Sequence, residues 1–141
     1  MPDRPTISHD WSEGRYFDQW MYVHLLCGLS CGFAGAVLPW SRAVLLTGTA
    51  VTMALWELGE AAFGVAEAWE NRVIDVLVGL AGAVAALAVL PRVSPTVARG
   101  LFWSTTVVFA IGDVLGWRAY RRRRAAPAGA GTPPVRRPSS E

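Results

Sequence analysis

Four apolar stretches, divided by short polar breaks, set the pattern of this chain. They run over about residues 20–40, 43–69, 73–90 and 97–117, and each approaches the roughly 20 apolar residues that a spanning helix requires. Pro39 and Ser41 close the first, and Pro91 stops the third. Arg118 and the Arg121–Arg124 run close the fourth. The breaks between stretches are too short for anything but antiparallel neighbours. The pattern predicts an all-α polytopic membrane protein: a four-helix transmembrane bundle with short loops, over residues 20–118. Five of the seven tryptophans agree with these limits. Trp20, Trp40, Trp69, Trp103 and Trp117 fall near expected helix ends, where amphipathic rings prefer to sit.

Composition supports this assignment. Of 141 residues, 52% are hydrophobic and only 17% charged, against about 25% charged in ordinary soluble domains. That excludes a disordered chain and argues against a soluble globule, whose small core could not hide so much apolar surface. The net charge of +2 is unevenly spread. Residues 118–141 carry +6 and residues 1–117 carry −4, so the basic part is a tail and no nucleic-acid surface follows. Residues 1–19 form a polar lead in which Asp10-Trp-Ser-Glu13 has the spacing of a capping box, which predicts a short interfacial helix. Residues 119–141, rich in Pro, Gly, Ala and Arg, read as a disordered basic tail. With four spans, ten arginines share the side of the termini and three lie opposite. The positive-inside rule then puts both termini in the cytoplasm, in a plasma or inner membrane. Arg121, Arg122, Arg123 and Arg124 would lie against anionic lipid headgroups.

Ionisable groups inside spans are costly and call for a reason. His24, Glu57, Glu60, Asp75 and Asp113 are such groups, with Glu67 close to a helix end. Helical phase places each on a face shared with small or polar residues: His24 with Gly28, Cys31 and Gly35, and Glu57 and Glu60 with Thr49, Met53 and Gly64. Asp75 shares its face with Gly79, Gly82 and Ala86, and Asp113 with Thr106, Phe109 and Gly116. Such faces turn towards neighbouring helices. Because alternate helices run in opposite directions, all five groups also fall in one half of the membrane, the cytoplasmic half in this orientation. Two carboxylates at i, i+3 would repel if both ionised, so one is expected to keep a proton or meet a cation. Arg72 could pair with Asp75 or with Glu67. Cys27 and Cys31, four apart on one helix, are poorly placed for a disulfide and read as small core residues.

One imidazole and several carboxylates would suit a borderline or hard cation, with His24, Glu57 and Glu60 as the candidate ligands. No tight metal motif, nucleophile elbow, phosphate loop, dinucleotide fingerprint, haem or iron–sulfur spacing is present, so no cofactor is assigned. Three segments resemble small bacterial membrane proteins of the VanZ-like and YjdF-like type. These are Asp18-Gln-Trp-Met-Tyr-Val-His24 with Gly28, then Trp56-Glu57-Leu-Gly-Glu60, and Glu70-Asn71-Arg72-Val-Ile-Asp75 continuing to Gly79 and Gly82. The likeness covers about residues 16–90 and departs at Val78 and Gly79, where that group often carries Asn. It implies a bacterial polytopic protein with a cell-envelope role, linked in one branch to tolerance of glycopeptide antibiotics. Two functional expectations follow. In the first, the polar cluster binds a lipid headgroup, a small ligand or a partner helix. The alternative is an intramembrane enzyme or proton-coupled carrier using Glu57 or Glu60 with His24. Catalysis and homo-oligomerisation stay open at this level.

Overall fold

The computed structural model describes residues 5–9, 11–12 and 14–125. Among these the chain is helical, with four α-helices in order: α1 (Trp20–Phe33), α2 (Arg42–Ala62), α3 (Trp69–Val89) and α4 (Pro95–Ala125). Short 3₁₀ turns extend α1 over Ala34–Ala36 and α3 over Leu90–Arg92. Local chemistry explains several ends. The Ser41 hydroxyl accepts from Val44 N–H at 3.2 Å and caps α2. Ser94 does the same for Val97 at the start of α4, where Pro95 takes the first helical position.

The second helix is shorter than its apolar pattern suggested. It stops at Ala62, because Gly64 takes a left-handed φ of 74°. Val65 N–H then bonds back to Glu60 O and Gly64 N–H to Ala61 O, closing the turn in a Schellman motif. The fourth helix is longer than expected. It carries the arginine run on a continuous helix to Ala125, so the start of the expected tail is ordered. Residues 126–141 lie outside the described residues. So do Asp10 and Glu13, the two ends of the expected capping box. The described residues of the lead are not helical; Ile7 and Phe17 meet instead in an isolated parallel bridge.

The closest seam joins α1 to α3. A Cβ on Gly28 would fall inside the carbonyl group of Gly79, 2.6 Å from its carbon, so the two backbones touch directly. Gly32 against Ala83 and Ala86, and Gly82 against Leu25, continue the seam. Small residues make this approach feasible, as they do between helices in lipid. Helix α2 lies on α3 with the Met53 sulfur over Gly79, and its Leu45 packs at Gly35 beyond the end of α1. Helix α4 rests on α1, where Ser30 Oγ meets Thr106 Oγ1 at 3.0 Å. Helices α2 and α4 make little contact with each other.

Polarity is distributed inside out. His24, Thr49, Glu57, Glu60, Asn71 and Asp75 are buried. Val51, Leu55 and Leu58 of α2, Val73, Leu77 and Val84 of α3, and Trp103, Val107, Ile111 and Val114 of α4 are exposed. Helices α3 and α4 are long and apolar enough to cross a membrane.

Candidate functional site: a buried polar centre beside an open cleft

The polar centre is built at one end of the bundle, from the start of α1, the end of α2 and the start of α3. His24, one turn into α1, is 2% exposed at its side chain. Its Nδ1 lies 3.0 Å from the Trp20 carbonyl oxygen one turn earlier. The other ring nitrogen, Nε2, is directed towards α2. That atom faces Glu57 Oε1 of α2 at 3.1 Å, off the geometry of a directed hydrogen bond. Asp75 of α3 closes the group, with Oδ2 3.8 Å from Nδ1. The Trp56 ring meets the imidazole edge-on at 5.5 Å between centroids and fixes its plane.

A second tier holds this centre. Asn71, wholly buried, directs its amide to Asp75 Oδ2 at 3.3 Å, to Asp18 Oδ2 at 3.0 Å and to Glu67 Oε1. Asp18 also accepts from the Gly14 and Trp20 backbone N–H groups, and so ties the lead to the start of α1. Arg72 pairs with Glu67 at 3.4 Å, not with Asp75, and donates to the carbonyl oxygens of Glu57 and Val65. In the α2–α3 connection, burial and the surrounding carboxylates push the Glu67 carboxyl up to about 8, against the lowering effect of the Asn71 hydrogen bond.

Not all five predicted residues meet. His24, Glu57 and Asp75 converge. Glu60 stays beside Glu57, with its carboxylate within 4.8 Å of those of Glu57 and Glu67, but its Oε1 is taken by Trp56 Nε1, which donates to it at 2.8 Å. Together with Asp113 of α4 it lines a cleft of 260 Å³ walled by Leu55, Trp56, Phe63 and Trp117. Phe63 and Trp117 also border a larger hollow of 690 Å³ flanked by Tyr120, Arg121 and Arg124. The cleft exists because α2 and α4 stand apart.

Sequence reasoning did not single out Asp18 and Asn71 as site residues. Asn71 stands four before Asp75 and so shares its face, which was a readable signal. Asp18 lies before the first helix, and no periodicity reaches it. Trp56 was separable as the one tryptophan near mid-helix, but its role between the two compartments was not. Comparison with family models, with curated proteins and with solved structures gave no match.

Proposed function

We propose that this chain is a multi-pass protein of a bacterial inner membrane, with four spans and both termini cytoplasmic, that binds the amine-bearing headgroup of a phospholipid. The buried polar interior and apolar exterior support the bundle in lipid: the ordinary soluble arrangement is the reverse. Helix α1 with its 3₁₀ extension is short for a span, and a lead folded against its start suits a helix that begins below the interface. The VanZ-like resemblance points to the same setting, the cell envelope.

The cleft between α2 and α4 carries the functional reading. Glu60 and Asp113 line a space walled by Trp56, Phe63 and Trp117, and this space is open to the outside between α2 and α4. A primary ammonium finds there two carboxylates to accept its protons and aromatic faces to attract its charge. Arg121 and Arg124 flank the adjoining hollow and suit the phosphate of the same headgroup. The acyl chains would remain in the bilayer, along the exposed Leu55 and Leu58.

Native mass spectrometry of the protein released from nanodiscs of mixed phosphatidylethanolamine and phosphatidylglycerol tests this reading. The wild type should retain phosphatidylethanolamine preferentially, and the Glu60→Gln/Asp113→Asn double variant should lose the preference while staying folded. Equal retention of both lipids by the wild type overturns it. Reporter fusions after residues 45 and 125 should give opposite compartments; a shared compartment would remove the four-span arrangement.

A further inference from the structure

We propose that His24, Glu57 and Asp75 form a binding site for a divalent first-row transition-metal cation, best matched by Zn²⁺. One ligand atom from each of these residues lies within 4.8 Å of the other two. Each comes from a different helix. Ligands at Zn–N and Zn–O distances of about 2.0–2.2 Å stand about 3.4 Å apart in a tetrahedron. The His24 Nε2 to Glu57 Oε1 separation is already 3.1 Å. The remaining separations are within 4.8 Å.

Three observations favour a cation over a self-sufficient ion pair. First, two carboxyl groups share the closed centre with a single imidazole. Glu57 and Asp75 are 9% and 1% exposed at their side chains, and a protonated His24 could offset only one of them. Arg72, the nearby guanidinium, is directed to Glu67 and to two backbone carbonyls instead. Second, Glu57 Oε2, Asp75 Oδ1 and His24 Nε2 are buried without a hydrogen-bond partner. Unpaired buried polar atoms are costly, and metal coordination would satisfy them together. Third, the surroundings match those of metal ligands. His24 Nδ1 faces the Trp20 carbonyl at 3.0 Å, with Asp75 Oδ2 3.8 Å away, and the Asn71 amide holds Asp75 Oδ2. Such outer partners set the tautomer and aim the ligands.

The donor set decides the class of ion. One imidazole among carboxylates draws first-row transition cations more strongly than Mg²⁺ or Ca²⁺, which prefer all-oxygen shells. The neighbouring group Glu57, Glu60 and Glu67 is also compact, but there Glu60 is held by Trp56 and Glu67 by Asn71 and Arg72. The site adjoins the lipid cleft, with Glu60 within 4.8 Å of Glu57, but uses different ligand residues, so metal binding and lipid preference are tested apart.

Full-length protein, stripped with a chelator and exchanged into metal-free detergent, should bind one equivalent of Zn²⁺ per chain in calorimetric titration, unaffected by excess Mg²⁺. Co²⁺ in its place should give the visible absorption of a low-coordinate site. Asp75→Asn and His24→Gln should each weaken Zn²⁺ binding by about tenfold or more. Glu60→Gln, Asp113→Asn and Cys27→Ser should leave it unchanged. No saturable Zn²⁺ binding by the folded wild type overturns the proposal. So does undiminished binding by folded Asp75→Asn and His24→Gln, which would move the metal to the tail or the cysteines. If either variant fails to fold, the wild-type titration and the Co²⁺ spectrum decide alone. Loss of lipid preference with Zn²⁺ binding intact in Glu60→Gln separates this site from the cleft.

Discussion

The α1–α3 seam and the α2–α4 gap are opposite solutions to packing helices that carry ionisable groups. Along the seam, Gly28, Gly79 and Gly82 bring backbones into direct contact. His24 and Asp75, one turn before Gly28 and Gly79, are thereby pressed together and kept from water. Across the gap, Leu55, Trp56, Phe63 and Trp117 wall a cleft that Glu60 and Asp113 line, although Glu60 itself is buried. The same residue type, a carboxylate in an apolar helix, sits in a closed centre in one place and on a cleft wall in the other. The side chains one turn away decide which.

The largest expected effect comes from wedging the seam. Gly28→Ala drives a methyl group into the Gly79 carbonyl, a backbone collision that no rotamer relieves. A loss of about 3 kcal/mol or more is expected, at or above the upper end for overpacking. Denaturant titration followed by circular dichroism would register it, and an unchanged midpoint would mean that the seam is not the close contact described here. Gly28→Ala should also disturb the polar centre more than the cleft.

A smaller loss should follow from Asn71→Ala. One buried amide serves Asp18, Glu67 and Asp75. Its removal leaves Glu67 Oε1 and Asp75 Oδ2 without that donor, at about 1–3 kcal/mol, while Asp18 keeps the Gly14 and Trp20 N–H groups. Ser30→Ala, on the looser α1–α4 contact, removes hydroxyl bonds whose Thr106 partner also bonds its own helix. It should cost about 1 kcal/mol or less. If the two rank the other way in the same denaturant assay, the polar centre is not the tighter region.

The smallest effects belong to glycines outside both regions. A Cβ at Gly48 of α2 or Gly100 of α4 meets nothing within 4 Å. Gly48→Ala and Gly100→Ala should therefore be neutral or stabilising by about 0.5–1 kcal/mol, through reduced backbone freedom in the unfolded chain. Loss of stability at either position would reveal a packing surface there, such as a second copy of the chain.

What the sequence by itself determined was local and periodic. Four apolar stretches and their breaks predicted four helices. The 3.6-residue phase correctly turned Thr49, Met53, Glu57 and Glu60 inward on α2, and Asp75, Gly79, Gly82 and Ala86 inward on α3. The apolar run did not show where α2 would stop: it continued past Gly64, whose left-handed turn ends the helix after Ala62. A helix face depends only on spacing along one chain segment, so it can be read before the fold is known. Tertiary structure decided which faces meet. His24 meets Asp75 and Glu57, while Glu60 stays near Glu57 but accepts from Trp56 and lines the cleft with Asp113. Asp18 and Asn71 joined the centre from a non-helical lead and from the first turn of α3. The paired contact of Gly28 with Gly79 sets the rotation and offset of α1 on α3. No single helix encodes that pairing, and a change of a few ångströms in it would hand His24 a different carboxylate.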